Sequence, residues 1–190
     1  MTQFEISLKK YLEIFGGQEM VFINDTRNLE LFAKNPANKT EEDIRMKVSA
    51  LSDDHEIKQL PGHNLIVEHI LKLNIDDRLN KNDLTLVEDI STLKINGVDH
   101  HLLHLASLYC CLHKPDVFPI YSDQHHNFYQ KYIKHFKLSL DPDKLTDYQV
   151  FAAALNDLVT RAGIKGKMNY IHLRKFGWLY ADSVLKESRV

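Results

Sequence analysis

Apolar residues recur every three or four positions along most of the chain, which is the spacing that gives a helix one apolar face. A first helix is predicted between Thr2, a residue type that caps helix N-termini, and the Gly16-Gly17 pair. With 7 Gly and 5 Pro, few positions interrupt the pattern, and no alternating stretch supports a large sheet. The sequence therefore predicts an all-α fold of about eight to ten helices in a single compact domain. That domain covers residues 1–190, of which 1–35 could form an N-terminal appendage.

Apolar stripes and capping residues set the predicted helix positions. Thr40 with Asp43 approximates a capping box, which opens a helix through the apolar residues that follow it. The first helix buries a stripe made of Phe4, Leu8, Leu12 and Phe15. Four helices are predicted in the second half of the chain, at 99–113, 123–137, 146–162 and 167–187.

The charge is close to balanced overall but unevenly distributed. The chain has 24 Lys and Arg against 26 Asp and Glu, a formal net charge of −2. The overall charge therefore gives no indication of binding to nucleic acid or to an anionic membrane. Residues 127–190 hold 11 Lys and Arg against 6 Asp and Glu, a net charge of +5. This asymmetry permits a local anion-binding face near the C-terminus, with a solvated basic face as the alternative.

Cysteine usage and the N-terminal pattern indicate a cytoplasmic protein. The two cysteines, Cys110 and Cys111, are neighbours in an apolar helical pattern, where core packing is expected and a disulfide is not. The first residues are amphipathic and interrupted by Glu5 and two lysines, which is unlike a signal peptide. No apolar run approaches the length of a membrane span, so no membrane partner is expected.

The segment from Ile95 to His126 holds most of the residues that could carry chemistry. Its Ile-Asn-Gly-Val turn precedes a predicted helix, and the loop Val-Phe-Pro-Ile-Tyr-Ser-Asp at 117–123 precedes the next one. This order resembles the helix-hairpin-helix DNA glycosylases and their relatives with a Phe-Pro-Ile-Tyr-Asp loop. The resemblance implies a glycosylase-like helical fold and DNA as a partner.

The same resemblance implies a phosphate clamp in the hairpin. Backbone N–H groups at Gly97 and Val98 would approach a DNA phosphate, and Lys165 and Lys167 are expected to add positive charge. The family's second hairpin glycine is replaced by Asp99, whose carboxylate would repel that phosphate.

The catalytic positions that the resemblance implies are also changed. The family's lysine nucleophile falls on His101, which cannot form a stable Schiff base, and its aspartate falls on Ser122. Asp123 follows one residue later and is retained, with His101, as a catalytic candidate. We therefore predict no excision of damaged bases, and glycosylase-like chemistry at Asp123 if the chain is an enzyme at all.

Six of the 11 histidines lie between residues 100 and 126. His100 and His104 are four apart on a predicted helix, so one face could bind a transition metal with a third ligand from elsewhere. Solvent-facing or hydrogen-bonded histidines are the alternative, and no metal or other cofactor is predicted. The aspartate pair Asp53-Asp54 is interpreted as solvating or capping a loop rather than binding a metal. The candidates for a third ligand are Asp99, Asp123, His125 and His126.

Three functions remain open from the sequence. The first is a catalytically degenerate, glycosylase-like protein that binds nucleic acid. The second is a non-enzymatic module that binds another protein or itself. The third is a small metal-dependent enzyme that uses the face bearing His100 and His104.

Overall fold

The computed structural model describes residues 2–17, 23–54, 56–57 and 62–188. In those ranges the chain forms ten α-helices, one two-stranded antiparallel hairpin and two short 3-10 turns, so the predicted mostly helical fold is confirmed. No helix within those ranges is both long and apolar enough to cross a membrane. The elements in chain order are α1 (Gln3–Gly16), α2 (Ile23–Lys34), α3 (Glu41–Leu51), α4 (His63–Leu73), α5 (Asp76–Asn80), α6 (Thr85–Ser91), β1 (Thr92–Ile95), β2 (Val98–His101), α7 (Leu103–His113), a 3-10 turn (Asp123–His125), α8 (His126–Phe136), a second 3-10 turn (Pro142–Lys144), α9 (Tyr148–Arg161) and α10 (Tyr170–Glu187).

The contacts within the chain define two compact units. Unit 1 consists of Met1–Val21 and Ser122–Val190 and contains α1, α8, α9 and α10. Unit 2 consists of Phe22–Tyr121 and contains α2 to α7 with the hairpin. The single domain over residues 1–190, with its appendage at 1–35, stays a prediction.

Unit 1 begins with the helix that the sequence predicts. The Thr2 side chain accepts a hydrogen bond from the Glu5 backbone, and the Glu5 carboxylate accepts one from the Thr2 backbone at 2.7 Å, which completes a capping box. The apolar face of α1 packs against α10. All four residues of the predicted stripe are buried, at 3–7% exposure: Phe4, Leu8, Leu12 and Phe15.

Unit 2 is built around α7, which α2, α3 and α6 contact. The capping box of α3 is present as predicted, with Thr40 and Asp43 exchanging backbone and side-chain hydrogen bonds. Every residue of α7 from Leu105 to Leu112 is buried, including both cysteines. Burial raises the pKa of the Cys110 thiol far above its usual range, which agrees with the predicted packing role.

A buried polar network ties α3 and α7 to the segment between α2 and α3. The Lys47 ammonium, in a side chain with 0% exposure, donates to Asn38 Oδ1 at 2.8 Å, and the Tyr109 hydroxyl donates to the same oxygen. The Asn38 amide donates to Asp76 Oδ1 at 2.7 Å and lies 3.3 Å from His113 Nε2. Burial lowers the pKa of Lys47 to about 8 and that of His113 to about 3.

The structure corrects the start of the predicted helix at 99–113. Residues 98–101 form β2, which pairs with β1 at 92–95, and α7 begins only at Leu103. Asn96 and Gly97 connect the strands with φ values of 50° and 81°. Asn-Gly is the preferred pair for such two-residue turns, because both positions need positive φ. Because of this hairpin, α7 begins four residues later than predicted.

Candidate metal centre

Three side chains with metal-ligand chemistry meet in unit 2: Asp54, Glu56 and His104. Asp54 and Glu56 lie in the loop that follows α3, and His104 is the second residue of α7. One nitrogen or carboxylate oxygen of each residue lies within 4.8 Å of the others. Their side chains are 10%, 8% and 13% exposed, so the cluster is shielded but still reachable by solvent.

A backbone carbonyl sets the orientation of the His104 ring. His104 Nδ1 lies 2.6 Å from the oxygen of Tyr121, and because a carbonyl can only accept, Nδ1 carries the hydrogen. The other ring nitrogen, Nε2, lies 3.2 Å from Asp54 Oδ1. Glu56 Oε2 is 3.7 Å from Nδ1. The imidazole therefore presents Nε2 toward a carboxylate while Nδ1 is held in place.

Local hydrogen bonds hold each part of the cluster. The Ser107 hydroxyl donates to the His104 carbonyl at 3.0 Å and accepts from the Tyr121 backbone N–H at 2.9 Å. Ser107 therefore holds Tyr121, the residue whose carbonyl orients the ring, close to His104. In the loop, the Glu56 backbone N–H donates to Asp54 Oδ1 at 3.0 Å. Backbone groups therefore hold Asp54 Oδ1 and the His104 ring in place.

The arrangement can do one of two things. With Nε2 deprotonated, it can bind a divalent metal ion through one imidazole nitrogen and two carboxylates, with the Tyr121 carbonyl as the outer partner of His104. With Nε2 protonated, His104 forms an ion pair with Asp54, which needs no metal.

The predicted metal face of His100 and His104 is wrong in its geometry. His100 lies on β2 and is half-buried, whereas His104 lies on α7, so the two do not share a helix face. Of the candidate third ligands, Asp99 is exposed on β2 and pairs with Lys94 at 3.6 Å. The other three candidates, Asp123, His125 and His126, belong to unit 1.

The two catalytic candidates lie at exposed positions. His101 is exposed at the end of β2, and the Asp123 side chain is 81% exposed at the start of a 3-10 turn. Asp123 Oδ1 lies 3.6 Å from His126 Nε2. A catalytic role for either residue stays a prediction.

The nucleic-acid candidates fall in two different units. Gly97 lies in the hairpin turn and Val98, 59% exposed, begins β2, so neither is at a helix N-terminus as the resemblance implies. Lys165 and Lys167 are exposed in the turn between α9 and α10. Their part in DNA binding stays a prediction.

The sequence indicates His104 as a candidate ligand but does not identify Asp54 and Glu56 as its neighbours. The two carboxylates are separated from His104 by about 50 residues, and no sequence motif links a loop after α3 to the first turn of α7. Only the packing of α3 against α7 brings these segments together. Asp54 caps its loop as predicted, but its carboxylate also faces the imidazole.

Comparisons with known proteins place the chain in a family without assigning an activity. Residues 7–117, which include the whole cluster, match the family model HI_0787_N, described as an N-terminal domain. A protein of Haemophilus influenzae, named only as uncharacterized, is 27% identical over 126 residues, or 65% of this chain. The match covers 59% of that relative's length, so the chain spans well under two thirds of it. No solved structure matches the chain.

Proposed function

The chain belongs to the HI_0787_N family, and we propose that it binds a divalent transition-metal ion through Asp54, Glu56 and His104. The orientation of His104 carries the proposal. Histidine ligands in metal sites donate their second ring N–H to a carbonyl or carboxylate, which directs the other nitrogen at the ion. Here Nδ1 is bound to the Tyr121 carbonyl and Nε2 faces Asp54.

The donor atoms favour some metals over others. Imidazole suits Zn²⁺ and Fe²⁺, carboxylates suit Mn²⁺ as well, and an all-oxygen shell is what Mg²⁺ and Ca²⁺ prefer. One nitrogen and two carboxylates therefore favour Zn²⁺, Fe²⁺ or Mn²⁺. Three protein ligands leave a coordination position for water, as in catalytic rather than structural zinc sites.

Isothermal titration calorimetry of the metal-free protein with ZnCl₂ and MnCl₂ tests the proposal. We expect one ion per chain, with affinity lowered at least about tenfold by His104→Ala and by Asp54→Asn, because each removes a ligand atom. Two matched controls should bind like the wild type: His100→Ala, on β2, and Asp53→Asn, on the exposed position beside Asp54.

Two results would contradict the proposal. Wild-type protein that binds neither ion would leave the ion pair between His104 and Asp54 as the better description of the cluster. Binding that survives His104→Ala but is lost in His100→Ala would move the site to the hairpin.

A second proposal concerns nucleic acid, in which the chain is a catalytically degenerate, glycosylase-like DNA-binding protein. What supports it is charge: residues 127–190 carry a net +5, and both Lys165 and Lys167 are exposed in unit 1. DNA affinity should then fall steeply as salt rises, and reversing either lysine should weaken binding to all sequences alike. No DNA binding at low salt would favour the remaining alternative, a module that binds another protein or itself.

A further inference from the structure

Unit 1 contains a cavity of about 930 Å³ among α1, α8, α9 and the turn after α9. Its size lies near the upper end of small-molecule sites, which span roughly 300–1,000 Å³. The floor is apolar and buried, formed in part by Leu8, Leu12, Tyr132 and Leu158. Of these side chains, Tyr132 and Leu158 are 0% exposed, so the floor is part of the apolar core of unit 1.

The rim of the cavity carries both signs of charge, and most of these charges already have partners. Glu5 accepts the Thr2 backbone N–H at 2.7 Å, and Glu13 lies 3.9 Å from Lys9. On the opposite wall, the guanidinium of Arg161 donates to Asp157 at 2.6 Å. Each of these charged side chains is therefore engaged by a neighbour within unit 1.

Lys167 differs from the other charged residues of the rim. It is exposed at the edge of the cavity, and its ammonium forms no ion pair with any residue in the described part of the chain. A cation at the mouth of an apolar cavity is complementary to a molecule with an anionic end and an apolar chain.

We propose that this cavity binds an amphipathic monoanion, namely an aliphatic carboxylate whose chain enters the cavity and whose head group pairs with Lys167. The apolar floor suits an alkyl chain, and the volume of the cavity is that of a small-molecule site. Two residues of the cavity wall leave space for the alkyl chain of the ligand. Gly16 adds no side chain, and Met168, whose Cε would lie 3.2 Å from a Cβ at Gly16, is unbranched and can adapt its shape. This site lies in unit 1, so it goes beyond the metal proposal and does not depend on it.

Calorimetric titration of the full chain with three probes tests the site. The probes are dodecanoate, dodecanol and dodecyltrimethylammonium, each below its aggregation concentration, so chain length is constant and only the head group changes. We expect dodecanoate to bind about fivefold more tightly than dodecanol, as an exposed ion pair contributes, and dodecyltrimethylammonium to bind most weakly. Equal affinity for all three probes would overturn the assignment of the head group to Lys167.

Two pairs of variants, each checked for folding by circular dichroism, locate the site. Lys167→Glu should lower dodecanoate affinity about fivefold or more, whereas Lys165→Glu, in the same turn but outside the cavity lining, should leave it unchanged. Ala162→Trp should fill the cavity and abolish binding, whereas Thr160→Trp, exposed in the last turn of α9 and outside the cavity lining, should not.

Either of two outcomes would overturn the proposal. Dodecanoate binding that survives Ala162→Trp would show that the cavity is not the site. Equal losses from Lys165→Glu and Lys167→Glu would show a general charge effect, which is the pattern expected of a basic surface that binds polyanions such as DNA.

Discussion

Gly177, in the middle of α10, allows the buried ring of His125 to lie directly against the helix backbone. A Cβ placed at Gly177 would be 2.5 Å from His125 Cε1 and 2.7 Å from both ring nitrogens. Side-chain atoms do not approach a Cβ so closely, and His125 is only 4% exposed, so its ring has little room to move. Gly177→Ala should therefore force a shift in the core of unit 1.

Two opposing effects set the size of the loss. Overpacking a core typically costs about 1–3 kcal/mol, and a clash of more than 1 Å with a rigid ring belongs in the upper part of that range. Alanine regains about 1 kcal/mol over glycine through helix propensity. We expect a net destabilisation of about 1–2 kcal/mol, which for a chain of this length lowers the Tm by roughly 2–8 °C.

Thermal unfolding followed by circular dichroism measures this loss, with two controls. Gly17→Ala should leave the Tm unchanged or slightly raised, because a Cβ at that position meets its nearest atoms at 3.7 Å. In a His125→Ala background, Gly177→Ala should cost nothing, giving a coupling free energy of about 1 kcal/mol or more between the two positions. If Gly177→Ala is as stable as the wild type, or if the cycle shows no coupling, the contact does not restrict position 177.

Three further predictions concern unit 2. The free energy of unfolding should rise with pH between about 8 and 10.5. In this range folded Lys47, whose pKa is lowered to about 8, has released a proton that the unfolded chain still holds. Lys47→Met should flatten this slope in urea titrations. The free energy of unfolding should fall as pH drops from about 6.5 toward 3, since His113 takes up a proton in the unfolded chain but not as the buried ring, whose pKa is lowered to about 3. His113→Gln should reduce this loss in acid titrations. An unchanged pH profile in this variant would contradict the buried, neutral ring. Ser107→Ala should lower the free energy of unfolding, measured in urea, by about 1–2 kcal/mol, because it removes the hydroxyl that accepts from the Tyr121 backbone N–H. It should also weaken zinc binding, because Tyr121 supplies the carbonyl that orients His104. A variant with wild-type stability would contradict this role.

The sequence predicted those parts of the fold that local interactions determine. The stripe of α1 and its Thr2 cap depend on residues within one or two helical turns, as does the box formed by Thr40 and Asp43. Such signals can be read without knowing what the helix packs against. They were sufficient for the helical class and for the approximate positions of most helices.

The hairpin at 92–101 shows how two local signals can compete. The apolar spacing of α7 predicts a helix from residue 99, although Asn96-Gly97 is a strong signal for a two-residue hairpin turn. A hairpin turn at Asn96-Gly97 places His100 on a strand, where it shares no helix face with His104. The phosphate clamp implied at Gly97 depended on the same incorrect helix start.

The candidate metal centre could not have been predicted from the sequence. Asp54 and Glu56 lie about 50 residues before His104 in the sequence, and their approach to it results from the packing of α3 and α7. The anchoring of the ring is equally non-local, because Tyr121 lies 17 residues beyond His104. Tertiary packing decides such a cluster, and no helical or strand periodicity records it.

The most direct test of the metal proposal is anomalous diffraction at the zinc absorption edge from crystals grown with ZnCl₂. We expect one strong anomalous peak in each chain, about 2.0–2.2 Å from His104 Nε2 and from a carboxylate oxygen of Asp54. Crystals of His104→Ala, grown in the same way, should lack this peak. A peak at His100 or His101 instead, or no peak beside a His104 ring that still contacts the Tyr121 carbonyl, would contradict the proposed site.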